Sequence, residues 1–263
     1  MKAASIIALL ALFSGVAGAE DIRIVAPYLG IATNVYSDTQ YGLDITDSKL
    51  MEGIYLQWIN TDFFQANVFF YHSADINYSQ LWGGHAIADF YVLRDALGKV
   101  ALGAGLEVMS LDLDAGSAFP PLTKFTLPTT LYIPYVRAGH YFYLSPAKSL
   151  QVSVFPWAGA EYQVTRGSIS FVPPGPPSTF TQSIDDETLY ALVGLNIDVT
   201  FMHFIEVEAK YHATLNQADH LSTFDGMVNV FFTRNWGVSY RYKYMQQTNG
   251  STSYHIFGVA CAF

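Results

Sequence analysis

The sequence has few charges and, beyond its first residues, no long apolar run. Only 13% of the residues are charged and 51% are hydrophobic, whereas soluble domains carry about 25% charged residues. A water-soluble surface is hard to cover with so few charges. A helix that spans a membrane needs about 20 consecutive apolar residues, and no internal stretch approaches that length. The chain therefore has the apolar content of a membrane protein without the pattern of a transmembrane helix.

Basic residues and cysteine are scarce as well. The 13 Lys and Arg residues stand against 22 Asp and Glu, a net charge of −9, and no basic run is present to neutralise the phosphates of a nucleic acid. The single cysteine, Cys261, excludes an internal disulfide and a cysteine-based metal site. No glycine-rich phosphate loop or HExxH motif occurs. We therefore expect no cofactor, no metal and no nucleic-acid partner.

The N-terminus has the pattern of a secretory signal. Lys2 gives a positive start, the segment that follows is apolar but too short to span a membrane, and residues 17–19 form the cleavage triplet Ala-Gly-Ala. An N-terminal helix packed in a core is the alternative interpretation. We expect a signal peptide over residues 1–19, cleavage after Ala19, and a single domain over residues 20–263.

Polar and apolar residues alternate with a period of two along the rest of the chain. In residues 205–213 one face carries Ile, Val, Ala and Tyr, and the other carries Glu, Lys and His. The segments 189–201 and 236–244 show the same pattern. This period is typical of β-strands with one apolar and one polar face.

The connections between these strands alternate between short and long. Such an alternation predicts about twelve antiparallel strands, with both chain ends on the short-turn side. The proline-rich loop 167–182 is predicted to be a stiff loop tip, with peptide recognition as the alternative. The short connections are residues 60–62, 94–99, 144–149, 201–204 and 233–235, and the long ones are 38–47, 74–80, 114–127, 167–182, 214–224 and 246–251.

The end of the sequence carries a resemblance to a known class. Phe257, Val259 and Phe263 share one face of a final strand that stops at an aromatic residue, with Cys261 an unusual occupant of the same face. This resembles the closing strand of bacterial outer-membrane β-barrel proteins, in which such residues form the signal read by the barrel assembly machinery. The resemblance is to the class, and no motif identifies one family within it. It implies an outer-membrane location, with membrane lipid, lipopolysaccharide and the assembly machinery as partners.

A closed barrel also follows from physical chemistry. In hydrocarbon every backbone N–H and C=O must be paired within the protein, and a sheet achieves this only by closing on itself. We therefore predict an all-β fold, a transmembrane antiparallel up-and-down β-barrel of about twelve strands with short periplasmic turns and longer extracellular loops. The alternative is a soluble periplasmic barrel or sandwich whose apolar face points inward.

If the apolar face meets lipid, the opposite face lines the lumen. A salt-bridge and hydrogen-bond network that fills the interior would explain its charges, since buried charges persist when they are paired. A narrow aqueous path would also explain them, because lining charges select among solutes. The two interpretations are compatible. The predicted lumen-lining residues are Glu107, Arg137, Glu161, Asp198, Glu206, Glu208, Lys210, His212, Arg241 and Lys243.

Candidate catalytic groups are few. His72 and Ser73, followed by Asp75, are the residue types of acyl transfer, but adjacent strand residues point to opposite faces. His85 and Asp89 share a face, but four residues along a strand separate them by about 13 Å. Neither pair has the geometry of a catalytic dyad.

Glu206 and Glu208 share a face at a separation of about 6.6 Å. That spacing suits paired-carboxylate chemistry or, together with Asp198, Ca²⁺ binding. A lumen network with Lys210 and Arg241 explains the same residues without chemistry. We therefore expect that the protein is not an enzyme.

The combined pattern favours a narrow passive diffusion channel, porin-like in character, for small polar solutes. A barrel of about twelve strands is intermediate in width between filled eight-stranded barrels and open sixteen-stranded porins. Two other functions remain open: a non-transporting barrel that acts through its surface loops as adhesin, receptor or structural protein, and an outer-membrane enzyme that modifies lipid or peptide.

Overall fold

The computed structural model describes most of the chain after residue 20. The expected signal peptide, the prolines of the loop 167–182 and the terminal Phe263 lie outside the described residues. Within the described part no helix is long and apolar enough to cross a membrane. The described ranges are 21–38, 43–60, 62–73, 79–114, 124–147, 149–172, 179–202, 204–215, 221–247 and 250–262.

The described residues form twelve β-strands, which confirms the predicted all-β class and strand number. Each strand pairs in antiparallel register with its neighbours in the chain. The strands are β1 (Asp21–Asp38), β2 (Leu43–Asn60), β3 (Phe64–Ser73), β4 (Ser79–Arg94), β5 (Gly98–Asp114), β6 (Lys124–Ala147), β7 (Leu150–Val172), β8 (Phe180–Phe201), β9 (Ile205–Thr214), β10 (Ser222–Phe231), β11 (Trp236–Gln247) and β12 (Gly250–Ala262).

The sheet closes on itself between its first and last strands. Tyr28 of β1 pairs with Gly258 of β12, and Leu29 pairs with Phe257. The result is a closed barrel in the order in which the strands occur along the chain. Closure pairs the backbone groups of both terminal strands, as a sheet within hydrocarbon requires.

The outward face of the barrel is apolar. Its exposed side chains include Leu29, Val136, Val193 and Phe257, the last of which is 63% exposed. Val259, the other described residue of the predicted closing-strand pattern, is also exposed. An apolar surface of this extent meets lipid rather than water. The alternative of a soluble barrel with the apolar face turned inward is therefore wrong.

Three strands are much longer than a membrane requires. β6, β7 and β8 have 24, 23 and 22 residues, whereas β3, β9 and β10 have 10 each. About 9–11 residues suffice to cross the bilayer. The extra length lies at the long-loop end, because the opposite ends of β6, β7 and β8 are joined by short turns.

This extension corrects the predicted loops. Strand residues occupy part of both the 114–127 and the 167–182 segments, which were expected to be loops. The outward-facing residues in the outer parts of β6 to β8, such as Thr130, Arg166 and Glu187, are polar. The apolar face that identifies a membrane strand is missing from these segments because they lie beyond the lipid.

Candidate functional site

All ten sequence-predicted lumen residues project into the interior of the barrel. They come from six strands, β5 to β9 and β11. Arg241 and Lys243 are 2% exposed, and Glu208 is 5% exposed. Alternation along each strand places these side chains opposite the lipid-facing residues.

The first ion pair of the interior joins β6 to β4 across β5. The Arg137 guanidinium donates from Nε to Asp89 Oδ1 at 2.8 Å and from Nη2 to Oδ2 at 2.5 Å, and the Tyr141 hydroxyl donates to Oδ2 at 2.9 Å. Gly103 of β5 lies between the two residues in register. A Cβ there would come within 2.1 Å of Asp89 Oδ1, so the pair requires glycine at this position.

The second ion pair joins β11 to β10. Arg241 Nε donates to Asp225 Oδ1 at 2.9 Å, and its Nη2 donates to Oδ2. The guanidinium also lies over the rings of Tyr55 and Phe69, at 5.0 and 4.4 Å from their centroids. Two hydrogen bonds and two ring contacts hold this buried cation in one position.

A third contact crosses the lumen. Lys243 Nζ donates to Glu107 Oε1 at 2.6 Å. Their strands, β11 and β5, lie on opposite sides of the barrel, with five strands between them in either direction. Arg241 Nη2 also lies 3.5 Å from His85 Nε2 on β4. Side chains thus bridge the interior at mid-height, as the network interpretation of the charges requires.

Three carboxylates in the described lumen have no cationic group within 4.0 Å. Asp198 accepts a hydrogen bond from Ser153 Oγ at 2.9 Å, and Glu206 accepts one from Asn229 Nδ2 at 2.9 Å. Both lie near the short-turn end of their strands. Glu161, further toward the outer end, accepts from Gln163 at 2.8 Å.

The acids near the short-turn end share one cation. Lys210 forms an ion pair with Glu208, which is the register partner of Asp198. Glu206 and Glu208 lie on the same strand as Lys210, on the same inward face. On β8 and β9, the inward face near this end therefore carries more negative than positive side chains.

The wall formed by β12 and β1 to β3 is aromatic. Phe69 and Tyr71 have ring centroids 5.5 Å apart, Tyr71 and Tyr254 lie at 5.4 Å, and Tyr28 and Phe69 lie at 6.2 Å. Tyr55 belongs to the same buried cluster. We call these five residues the aromatic wall, and the ionisable lumen residues of β4 to β11 the charged wall.

A cavity of about 70 Å³ lies at mid-height, lined mostly by the charged wall. Among its lining residues are His85, Glu107, Tyr135, Lys210, His212 and Lys243. A water molecule needs roughly 10–15 Å³ of such space and two to four polar partners. The cavity therefore has room for a few waters.

Some lumen residues were missed from the sequence. Asp225 shares the inward face of β10 with Met227 and Asn229, opposite Phe224 and Val228. The same alternation is visible in the sequence and could have identified Asp225 as a lumen residue. Two buried cations, Arg23 and Lys49, also lie on β1 and β2, and neither was among the predicted lumen-lining residues.

The catalytic candidates are placed apart. Ser73 is fully buried and its Oγ accepts from the Leu81 N–H at 2.8 Å. His72 contacts Gln80 at 3.1 Å and Glu52 at 4.0 Å on the other side of the strand, and Asp75 lies outside the described residues. In the same described part of the chain, no group of three or more His, Cys, Asp or Glu side chains is placed to hold a metal ion.

The closed antiparallel barrel, its lipid-facing belt and its polar interior define a transmembrane barrel of the bacterial outer-membrane class. No protein-family model matches the chain, and no curated protein matches it either. Several solved structures are similar to the chain. The translocator domain of the autotransporter NalP from Neisseria meningitidis is similar with a TM-score of 0.56 at 13% identity, over 100% of this chain and 95% of that domain.

Two other similar structures are the Pseudomonas putida toluene transporter TodX and the KdgM porin. TodX has a TM-score of 0.46 at 10% identity, over 94% of this chain and 89% of its own. KdgM has a TM-score of 0.42 at 11% identity, over 91% and 99%. At these identities the comparisons show the fold alone, and the NalP match confirms the predicted class.

Proposed function

We propose that the protein is a narrow, non-enzymatic channel in the outer membrane of a diderm bacterium, passing small polar solutes with a preference for cations. Its partners are then the membrane lipid and lipopolysaccharide around the belt, the permeating solutes, and the assembly machinery that reads the closing strand. The signal peptide over residues 1–19 supplies the export step.

The observation that carries the proposal is the distribution of carboxylates along the lumen. Glu161 lines the cavity, and Asp198 and Glu206 lie nearer the short-turn end of the lumen, each without a cation at ion-pair distance among the described residues. Low-dielectric walls focus the field of such charges, which raises the local concentration of cations. The paired groups between them set a narrow passage, because their hydrogen bonds hold them in place.

A second function is favoured by the contacts that cross the lumen. The Lys243–Glu107 and Arg241–His85 contacts, with a cavity of only about 70 Å³ beside them, suit a filled barrel. Such a barrel would act through the outer extension of β6 to β8 and its loops, as adhesin, receptor or structural protein.

Conductance in planar bilayers separates the two. Wild-type protein under a KCl gradient is expected to give small, steady currents with a reversal potential on the cation-selective side. The double variant Asp198→Asn/Glu206→Gln should move the reversal potential toward zero, because it removes two negative charges and retains hydrogen-bonding groups of nearly the same size.

A matched control is the double variant Asp185→Asn/Glu187→Gln. It makes the same chemical changes at two acids that pair with Arg166 on the outer surface of the extension, so its reversal potential should equal that of the wild type. Absence of current from the wild type would reject the channel and favour the loop-mediated function. If the Asp198→Asn/Glu206→Gln variant gives current with an unshifted reversal potential, these two acids do not act on the conduction path.

A further inference from the structure

A lysine side chain lies among tyrosine rings at the short-turn mouth of the lumen. The Lys99 ammonium is 4.4 Å from the ring centroid of Tyr91 and 5.2 Å from that of Tyr143. The three residues lie on β5, β4 and β6, each within a few positions of the end of its strand. The ammonium is therefore held by two rings that belong to different strands.

The rings continue inward as a stack. Tyr91 meets Tyr141 edge-on at 5.7 Å, and Tyr141 lies parallel to Phe155 at 3.9 Å and to Tyr143 at 6.4 Å. Tyr141 and Phe155 are buried, whereas Tyr143 is 45% exposed. Buried neighbours fix the positions of the outer rings, and the exposed edge leaves the site open to the mouth.

An acid lies further along the same wall. Tyr143 pairs in register with Ser153, and Ser153 pairs with Asp198. Two strand spacings place Asp198 about 10 Å from Tyr143 along the lumen wall. Its carboxylate, which accepts a hydrogen bond from Ser153 Oγ, places a negative charge on the approach to the electron-rich rings, and both features favour an organic cation.

We propose that Tyr91 and Tyr143 form a binding site for small primary ammonium cations, with Asp198 as a negative charge further along the wall, and that Lys99 occupies this site as a tethered ligand. The proposal rests on the channel function and names its solute class as organic amines in their protonated form. Lys99 then limits access from the short-turn side, and a permeating amine must displace its ammonium from the rings.

Chemical rescue tests the site without requiring conduction. Lys99→Ala removes the tethered ammonium, and n-butylammonium has the structure of the missing side chain. In detergent micelles, saturation-transfer NMR should show butylammonium binding at least about tenfold tighter to Lys99→Ala than to wild type, because a cation over two aromatic faces is stabilised by such a factor. Neutral 1-butanol, of similar size, should bind neither protein measurably.

Two further variants complete the design. Tyr143→Leu added to Lys99→Ala should weaken butylammonium binding about fivefold, since one ring face is lost. Arg234→Ala removes a positive charge from an exposed turn on the same side of the barrel, and it should bind butylammonium no better than wild type. If Lys99→Ala does not assemble, Lys99→Ser serves in its place.

The outcomes distinguish this site from the channel function. Equal binding of butylammonium to wild type and Lys99→Ala overturns the site, as does butanol binding equal to that of butylammonium, which would indicate an apolar pocket. Selective binding in micelles combined with no current in bilayers would support the site and reject the channel. If selective binding and current are both observed, Lys99→Ala should also raise butylammonium permeability relative to K⁺.

Discussion

The aromatic wall and the charged wall occupy the same lumen but fill it in different ways. The aromatic wall packs Tyr55, Phe69, Tyr71 and Tyr254 in contact, so each residue depends on apolar area and ring geometry. The charged wall depends on matched partners, as in Asp89 with Arg137. A buried pair adds little net stability, yet loss of one partner leaves a charge that water cannot reach. The two walls should therefore respond differently to substitution.

Arg241 is the residue at which the two walls meet, and its loss should have the largest effect. Arg241→Met keeps most of the volume over Tyr55 and Phe69 but leaves Asp225 buried without its cation. We expect a loss of about 3–5 kcal/mol in the free energy of unfolding, measured by urea titration of barrel reconstituted in lipid vesicles.

The double variant Arg241→Met/Asp225→Asn serves as the control for this prediction. It removes both charges, so it should recover much of the lost stability. A single variant as stable as the wild type would mean that the charged wall does not depend on its pairs, and the contrast between the walls would fail.

A lysine on the lipid-facing surface tests whether both walls are truly internal. Val193 is 41% exposed on β8, and Val193→Lys should cost about 2–4 kcal/mol because the bilayer cannot solvate the ammonium. Gln163→Lys, on the lumen side beside Glu161, should cost much less. Equal destabilisation in the same vesicle assay would contradict the assignment of faces.

One chemical change made on each wall sharpens the contrast. The Tyr141 hydroxyl donates to Asp89 at 2.9 Å, so Tyr141→Phe should cost about 1.5–3 kcal/mol, as expected for a hydrogen bond to a charged group. The Tyr55 hydroxyl is buried and has no hydrogen-bond partner among the described residues, and Tyr55→Phe should be neutral or stabilising. The urea midpoints of the two variants, each compared with wild type, measure the two effects. A larger loss of stability in Tyr55→Phe than in Tyr141→Phe would contradict the contrast between the walls.

The smallest effect is expected outside the lumen, at the turn between β4 and β5. His140 and the backbone N–H groups of Leu97 and Gly98 donate to Asp95 and hold the pKa of its carboxyl below its usual range. A lowered carboxyl pKa gives stability that is present above about pH 3.9, the pKa in the unfolded chain, and is lost as the pH falls through the folded value.

The measurement is the urea midpoint between pH 6 and pH 2. Asp95→Asn should flatten its fall slightly at the acid end. An identical acid profile for Asp95→Asn and wild type would remove this turn as a source of pH dependence.

The sequence was sufficient for the strand number and for the faces, because lipid imposes a strict period of two on every membrane strand. Residues 189–201 and 205–213 carried that signal and lie in β8 and β9. This signal does not identify the strands beyond the edge of the lipid. The outer parts of β6 to β8 carry polar residues on their outward face, so residues 167–172 and 180–182 were assigned to a loop although they lie in β7 and β8.

The partners within the lumen could not be predicted in the same way. Asp89 was weighed only against His85 on its own strand, whereas its partner is Arg137, two strands away. Pairing of this kind depends on the register of the intervening strand and on a glycine, Gly103, that leaves room for the side chains. The hydrophobic pattern and the turns set the register of each strand pair, but the partner of Asp89 follows only when the registers of β4 with β5 and of β5 with β6 are combined.

The contact between Lys243 and Glu107 has a consequence for the order of assembly. The two residues are 136 positions apart in the chain, and five strands must lie between them on each side before they face each other across the lumen. Contacts of such long sequence separation form late, because the intervening chain must first be ordered. A nascent barrel that lacks β11 therefore lacks both the Lys243–Glu107 contact and the Arg241–His85 contact across the lumen. The Lys243–Glu107 contact therefore forms among the last steps of assembly, when most strands of the sheet are already paired.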